Sequence, residues 1–226
     1  MSKLRALDLF CCAGGATRGL QLAGFHVTGV DIRKQPRYCG DAFHQGNALD
    51  YPTDGFDFIW ASPPCQAHTY ANNRDAKGKH TDFIPATRAK LKTSGVTWCI
   101  ENVPGAPLRA DLVLDGTMFP GLRVIRKRHF ELSFPAPFLL GFPTQGLVGA
   151  HGWSSVTAGD NSSHVRASRK RFGMPIRDSN EKRASDMGID WHKNCHDLGE
   201  AIPPAFSEFI GRAALAHIST LRQVAA

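Results

Sequence analysis

The stretch from Leu4 to Ala23 constrains the fold more than any other. Leu4 to Phe10 is an apolar run that reads as a buried strand, Cys11-Cys12-Ala13-Gly14-Gly15 is a turn of small residues, and Ala16 to Ala23 continues with helical spacing. A strand, a glycine turn and a helix are the opening unit of a doubly wound α/β fold. Glycines let the backbone approach a ligand, and the helix N-terminus after them favours an anionic group such as a carboxylate. The turn lacks the full dinucleotide fingerprint, so a plain tight βα connection is the competing reading. The next strand, His26 to Val30, ends on Asp31, where such folds bind ribose hydroxyls. A capping or solvated Asp31 is the alternative. Gly46-Asn47-Ala48-Leu49-Asp50 follows and offers Asn47 or Asp50 to a cofactor base.

Later strands end on reactive groups. Phe56 to Trp60 reads as a short buried strand, and in Ala61-Ser62-Pro63-Pro64-Cys65-Gln66 the prolines stop it and leave Cys65 in a rigid loop. A thiol held there can be tuned as a nucleophile, although a cysteine after two prolines is by itself as compatible with packing. Residues 67–82 are polar and without periodicity, the pattern of a lid or a connector. A helix over Ile84 to Lys92 then precedes a strand, Val96 to Ile100, that delivers Glu101-Asn102-Val103-Pro104. A carboxylate at a buried strand end must be paired or protonated, because its desolvation costs several kcal/mol. Leu112 to Phe119 and Leu122 to Leu132 read as short paired or edge strands. In the second, strand spacing sets Arg126 and Arg128 on one face, either as two fixed guanidinium groups for a phosphate or base or as a solvated basic surface.

From Ala136 to Leu198 the apolar pattern is thin, and His164 to Arg183 carries a basic cluster, with Arg166, Arg169, Lys170, Arg171, Arg177, Lys182 and Arg183 suited to phosphate contact. His192, Cys195 and His196 match no common zinc spacing, so no metal is expected. Ile202-Pro203-Pro204 opens an amphipathic helix, Ala205 to Leu221, that packs on the sheet. The net charge of +7 favours a polyanionic partner, nucleic acid first. Six irregularly spaced cysteines, two of them adjacent, suit a reducing compartment. With no signal peptide or membrane-length apolar run, a cytoplasmic protein is expected.

In their order, these motifs resemble the cytosine-C5 DNA methyltransferases, especially the short bacteriophage versions. Asp8-Leu9-Phe10 with Gly14-Gly15 is similar to the family's cofactor turn, Pro64-Cys65-Gln66 to its nucleophile motif and Glu101-Asn102-Val103 to its paired acid. Arg126 and Arg128 are similar to its R-x-R element, and Gly199 to Pro204 to its closing motif. The resemblance implies a doubly wound, Rossmann-like S-adenosylmethionine-dependent methyltransferase fold with a small, reduced recognition region. Residues 1–135 would be catalytic and cofactor-binding, 136–198 a short, basic, mobile target-recognition region, and 199–226 the closing motif and a helix packing back. Cys65, Glu101, Arg126 and Arg128 would be catalytic. Phe10, Gly14, Gly15, Asp31, Asn47, Pro64, Glu200 and Ala201 would line the cofactor, and Gln66, Thr69, Arg169, Lys170 and Arg171 would face DNA. Chemistry inside a stacked duplex implies base flipping.

The chain departs from the family at several places. Cys12 stands where a glycine is usual, Asn47 for an Asp, Val124 for a Gln, Thr69 for a Ser and Glu200 for an Asn. The charge of Glu200 lies near the expected amino-acid end of the cofactor, which implies either weaker binding or a modified S-adenosylmethionine. The same chemistry on RNA or a free cytosine nucleotide, and a catalytically idle nucleic-acid-binding relative, are the competing readings.

Overall fold

In strand β1 (Arg5–Leu9) the side chains alternate, so that Ala6 and Asp8 face one side of a sheet and Leu7 and Leu9 the other; all four are buried. Burial on both faces is the mark of a parallel strand covered by helices on each side. The computed structural model describes residues 3–68, 80–138, 170 and 178–225. Helix α1 (Gly15–Ala23) returns the chain to β2 (His26–Asp31), followed by β3 (Ala42–Gln45), β4 (Phe58–Ala61), α2 (Ile84–Thr93) and β5 (Thr97–Asn102). Then come β6 (Leu112–Leu114), β7 (Arg128–Leu132), α3 (Asn180–Asp186), α4 (Cys195–Glu200) and α5 (Pro204–Ala225). The sheet runs β3-β2-β1-β4-β5-β7-β6. Strands β1 to β5 are parallel to their neighbours, and β7 is antiparallel to both β5 and β6.

Strand order reverses between β1 and β4, and the carboxyl ends of strands at such a switch point are where doubly wound sheets bind ligands. The two loops that leave these ends are the glycine turn after Leu9 and the proline loop carrying Cys65. They are held together at the root, since the Ser62 amide donates to the Leu9 carbonyl (3.1 Å). The sequence places these strands correctly but cuts β5 short, because Glu101 and Asn102 are still paired to β7. It also overextends the later strands. Gly116 to Met118 is a 3-10 turn, and β7 begins only at Arg128.

One layer of core, which includes Phe58, Trp60, Phe130, Phe206 and Ile210, lies between the sheet and helices α1 and α5. The other gathers Leu7, Leu9, Ile59, Ile100 and Leu91 under α2. Of the 136–198 region, the described residues 178–198 contribute Ala184, Met187, Ile189 and Leu198 to the first layer. Helices α1 and α5 meet at Gly19, where an added Cβ would lie 2.0 Å from the Pro204 carbonyl oxygen. A side chain there would force α5 away from the sheet.

Asp8 is fully buried beneath the glycine turn. The Tyr38 hydroxyl donates to Thr17 Oγ1 (3.1 Å), which donates to Asp8 Oδ2 (2.5 Å), while Asp8 Oδ1 has no partner among the described residues. Burial pushes this carboxyl up to about 7 from 3.8, despite the hydrogen bonds from Thr17. The folded state therefore binds a proton that the unfolded state has already lost, and stability declines as pH rises from about 4 through about 7. Three units correspond to roughly 4 kcal/mol as an order of magnitude. Asp8→Asn is expected to remove this slope, and urea unfolding of both proteins at pH 5 and pH 8 checks it. Equal pH dependence in the two would overturn the assignment.

Candidate active site

The turn after β1 is built from unusual backbone. Phe10, Cys12 and Gly14 all have positive φ, at 63°, 45° and 95°. Only the last suits its residue, so Cys12 keeps a glycine-like conformation at some cost in strain. Gly15 is required for a different reason: a Cβ there would fall 2.7 Å from the Ile202 carbonyl oxygen. Its missing side chain lets the segment Ala201-Ile202 close against the turn. Trp191 clamps the turn from above, its indole N–H donating to the Ala13 carbonyl (2.9 Å). Nothing in the sequence signalled that contact.

Asp31 sits at the end of β2 and is buried. Its two carboxylate oxygens accept from the amides of Cys12 (3.0 Å) and Arg33 (2.8 Å), which fixes the carboxylate at the edge of the turn. Glu200 reaches the same edge from α4. Arg33 Nη2 lies 2.7 Å from Glu200 Oε2, the Cys12 thiol lies 3.5 Å from that oxygen, and His196 Nε2 lies 3.4 Å from Glu200 Oε1. The negative charge of Glu200 is thus met by a guanidinium that the sequence reading did not single out. Asn47 is exposed, and its side chain closes a local turn, bonding Asp50 and the Leu49 amide.

The stretch leading into Cys65 is held at two points. The buried Asn102 amide donates to the Pro63 carbonyl (2.8 Å), and the Trp60 indole donates to Ser62 Oγ (2.8 Å). Cys65 itself is half-buried and Gln66 exposed. The thiols of Cys11, Cys12, Cys39 and Cys99 are pushed up by burial, Cys39 to about 12, and so stay protonated at neutral pH.

Strands β4 and β5 are parallel neighbours, so Glu101, near the end of β5, lies beside the Cys65 loop. Glu101 is buried and pairs with Arg128, Nε to Oε1 at 2.8 Å. Arg128 opens β7 on the face shared with Phe130, whose backbone lies opposite Glu101. The two arginines do not form a common strand face as the spacing suggested. Arg126 precedes the strand, is only 4% exposed and donates from Nη2 to the Gly199 carbonyl (2.8 Å). Burial and then the neighbouring Arg128 lower its proton affinity, while Glu101 and the ionised form of Cys65 act the other way. A guanidinium keeps its proton even so. Cys65, Glu101, Arg126 and Arg128 therefore lie within electrostatic reach of one another, grouped around the buried Arg126 guanidinium.

The basic cluster fares differently. Arg183, expected at a phosphate, is fully buried on α3, where its Nη1 lies 3.2 Å from Cys195 Sγ. Lys182 pairs with Asp186, and Lys170 is exposed. Thr69, Arg169 and Arg171 lie outside the described residues. Among the described residues no group of three or more His, Cys, Asp or Glu side chains is arranged to hold a metal ion, and no helix is long and apolar enough to cross a membrane.

The seven-stranded sheet with its switch point between β1 and β4 is the Rossmann-like fold of S-adenosylmethionine-dependent methyltransferases. Among solved structures, the chain is similar to a protein described as a DNA modification methyltransferase encoded within a prophage (E. coli), with 14% identity and a TM-score of 0.59 over 96% of this chain and 99% of that one. A mutant of Spodoptera frugiperda DNMT2 aligns at 13% identity with a TM-score of 0.62, covering 94% and 99%. The S. pombe Dnmt2 methyltransferase aligns at 15% and 0.59, covering 96% and 99%. No family model and no curated protein matches the chain.

Proposed function

We propose that the protein is an S-adenosylmethionine-dependent methyltransferase acting on C5 of cytosine in DNA. The observation that carries the proposal is the pairing of a rigidly held thiol, Cys65, with a buried Glu101–Arg128 ion pair at the neighbouring strand end. A protein that only binds nucleic acid has no use for a nucleophile and a buried acid side by side. In this reading the Cys65 thiolate adds to C6 of the cytosine while Glu101, entering as the protonated acid, gives its proton to N3 and Arg128 donates to O2, so that the electron pair displaced into the ring ends on a protonated N3. C5 thereby becomes nucleophilic and would take the methyl group that the cofactor supplies when bound, the sulfonium leaving as a thioether. The C5 proton is later lost to a base, and expulsion of the thiol restores the aromatic ring. Because C5 and C6 are enclosed in a duplex stack, the target base must be flipped out or already single-stranded.

The residues at the β1–β2 edge fit the proposed cofactor, which supplies an electrophilic methyl group when bound. The Asp31 carboxylate, oriented by two backbone amides, has lone pairs left for ribose hydroxyls. Arg33 neutralises Glu200 at the edge where the amino-acid end of the cofactor would lie. This pairing favours ordinary S-adenosylmethionine over a modified one, since Glu200 does not stand as a lone negative charge. Arg33→Ala is expected to weaken S-adenosylhomocysteine binding about fivefold, and adding Glu200→Gln to restore most of it. Calorimetric titration of wild type, both single variants and the double checks this; no recovery in the double would show that Arg33 acts on the ligand directly.

The test of the function is transfer of labelled methyl from S-adenosylmethionine to duplex DNA, single-stranded DNA, RNA and dCMP. Label at C5 of DNA cytosine is expected. Label on RNA or dCMP alone would move the substrate class, and no label with cofactor binding intact would overturn the reading.

A further inference from the structure

The nucleophile loop carries a second connection that the mechanism above does not use. His68 lies one turn beyond Cys65, and its amide donates to the Cys65 carbonyl (2.9 Å). Its imidazole is mostly buried, 14% exposed, and Nε2 lies 3.0 Å from Asp82 Oδ1, an ion-pair contact rather than a well-aligned hydrogen bond. Asp82 in turn receives the Ile84 amide (2.9 Å) at the start of α2. Burial raises the Asp82 carboxyl, but His68 and the Ile84 amide outweigh it and hold it below the usual range, so it stays ionised at neutral pH. The next residue, Phe83, packs against Phe10 of the glycine turn, ring centroids 6.3 Å apart. The backbone of Cys65 is thus joined through one imidazole to Asp82, just before α2, and through the adjoining Phe83 to the turn that follows β1.

We propose that His68 and Asp82 are positioning residues for the nucleophile: the pair staples the Cys65 turn to α2 and fixes the thiol relative to Glu101 and Arg126. The inference rests on the methyltransferase reading. Pro63 is anchored by Asn102 on the strand side. The His68–Asp82 pair closes the far side of the turn. A thiol displaced by even 1 Å loses alignment with its target, at a cost of roughly a hundredfold in rate.

The test uses the full chain with His68→Gln, Asp82→Asn and the double variant. In the first arm, Cys65 alkylation by iodoacetamide is followed by peptide mass spectrometry without DNA. In the second, kcat and KM for methylation of duplex DNA are measured. Each single variant is expected to slow Cys65 alkylation several-fold and to lower kcat about tenfold with little change in KM, and the double is expected to be no worse than the poorer single. Asp82→Glu should recover part of the loss. Because Asp82 also serves the α2 terminus, His68→Gln separates the staple from helix stability. Unchanged or faster alkylation in His68→Gln, or losses that multiply in the double, would overturn the proposal. If the wild type methylates nothing, the methyltransferase reading fails while the alkylation arm still decides the staple.

Discussion

Cys65→Ala is expected to reduce methyl transfer to cytosine DNA by at least roughly ten-thousandfold and to abolish the covalent complex that DNA containing 5-fluorocytosine forms with the native protein. Removing the attacking atom removes the route itself, so the loss should fall in kcat and leave DNA affinity largely intact. Cys65→Ser should behave almost as badly, because a hydroxyl is a far weaker nucleophile than a thiol at neutral pH. The side chain is half-buried on a loop held at Ser62 and Pro63 by other groups. Stability should therefore change by no more than about 1 kcal/mol, which separates loss of chemistry from loss of fold. Gel mobility of the trapped complex and a thermal melt of each variant provide the two readings. Trapping by Cys65→Ser at the native rate would mean that another residue attacks the base.

What the sequence reveals of this site, and what it hides, follows from how local each signal is. Strand ends are local. Apolar runs closed by Gly14-Gly15, by Pro63-Pro64 or by an acid mark where the candidate site residues lie, and β1, β2, β4 and β5 lie where those runs are. That β4 and β5 are neighbours follows from parallel winding, which brings Cys65 and Glu101 to the same edge. The partners of these groups are not local. Arg33 meets Glu200 across 167 residues, and Trp191 meets Ala13 across 178, with no periodicity to announce either. Arg126 and Arg128 show the limit of pattern reasoning. Strand spacing gives them one face, but tertiary contact with Gly199 draws Arg126 off the strand and into the interior. Arg183 has the composition of a solvated cluster and is fully buried, because α3 turns its face to the core through Ala184 and Met187.

The Glu101–Arg128 pair should show its chemistry and its stability separately. Taking one partner from a buried ion pair typically costs about 3–5 kcal/mol, since the other is left without compensation. Here the two halves are not equivalent. Glu101 also faces Arg126, which is buried and repelled by Arg128. Glu101→Gln leaves two guanidinium groups facing each other with no carboxylate between them, and should cost the full amount, a fall in melting temperature of about 10 °C. Arg128→Met leaves Glu101 with Arg126 and relieves the repulsion, so its cost should be smaller, about 1–3 kcal/mol. Activity should not follow this order. Both variants are expected to lose methyl transfer by roughly a hundredfold or more, because each removes a group proposed to bond the base as charge develops on the ring. Denaturant unfolding of the two variants and of Glu101→Gln/Arg128→Met, set beside their kcat values, is the measurement. The double should regain stability relative to Glu101→Gln and regain no activity. Equal costs for the two single variants would mean that Arg126 does not share the Glu101 carboxylate, and that the thiol, the acid and the two arginines do not act as one electrostatic group.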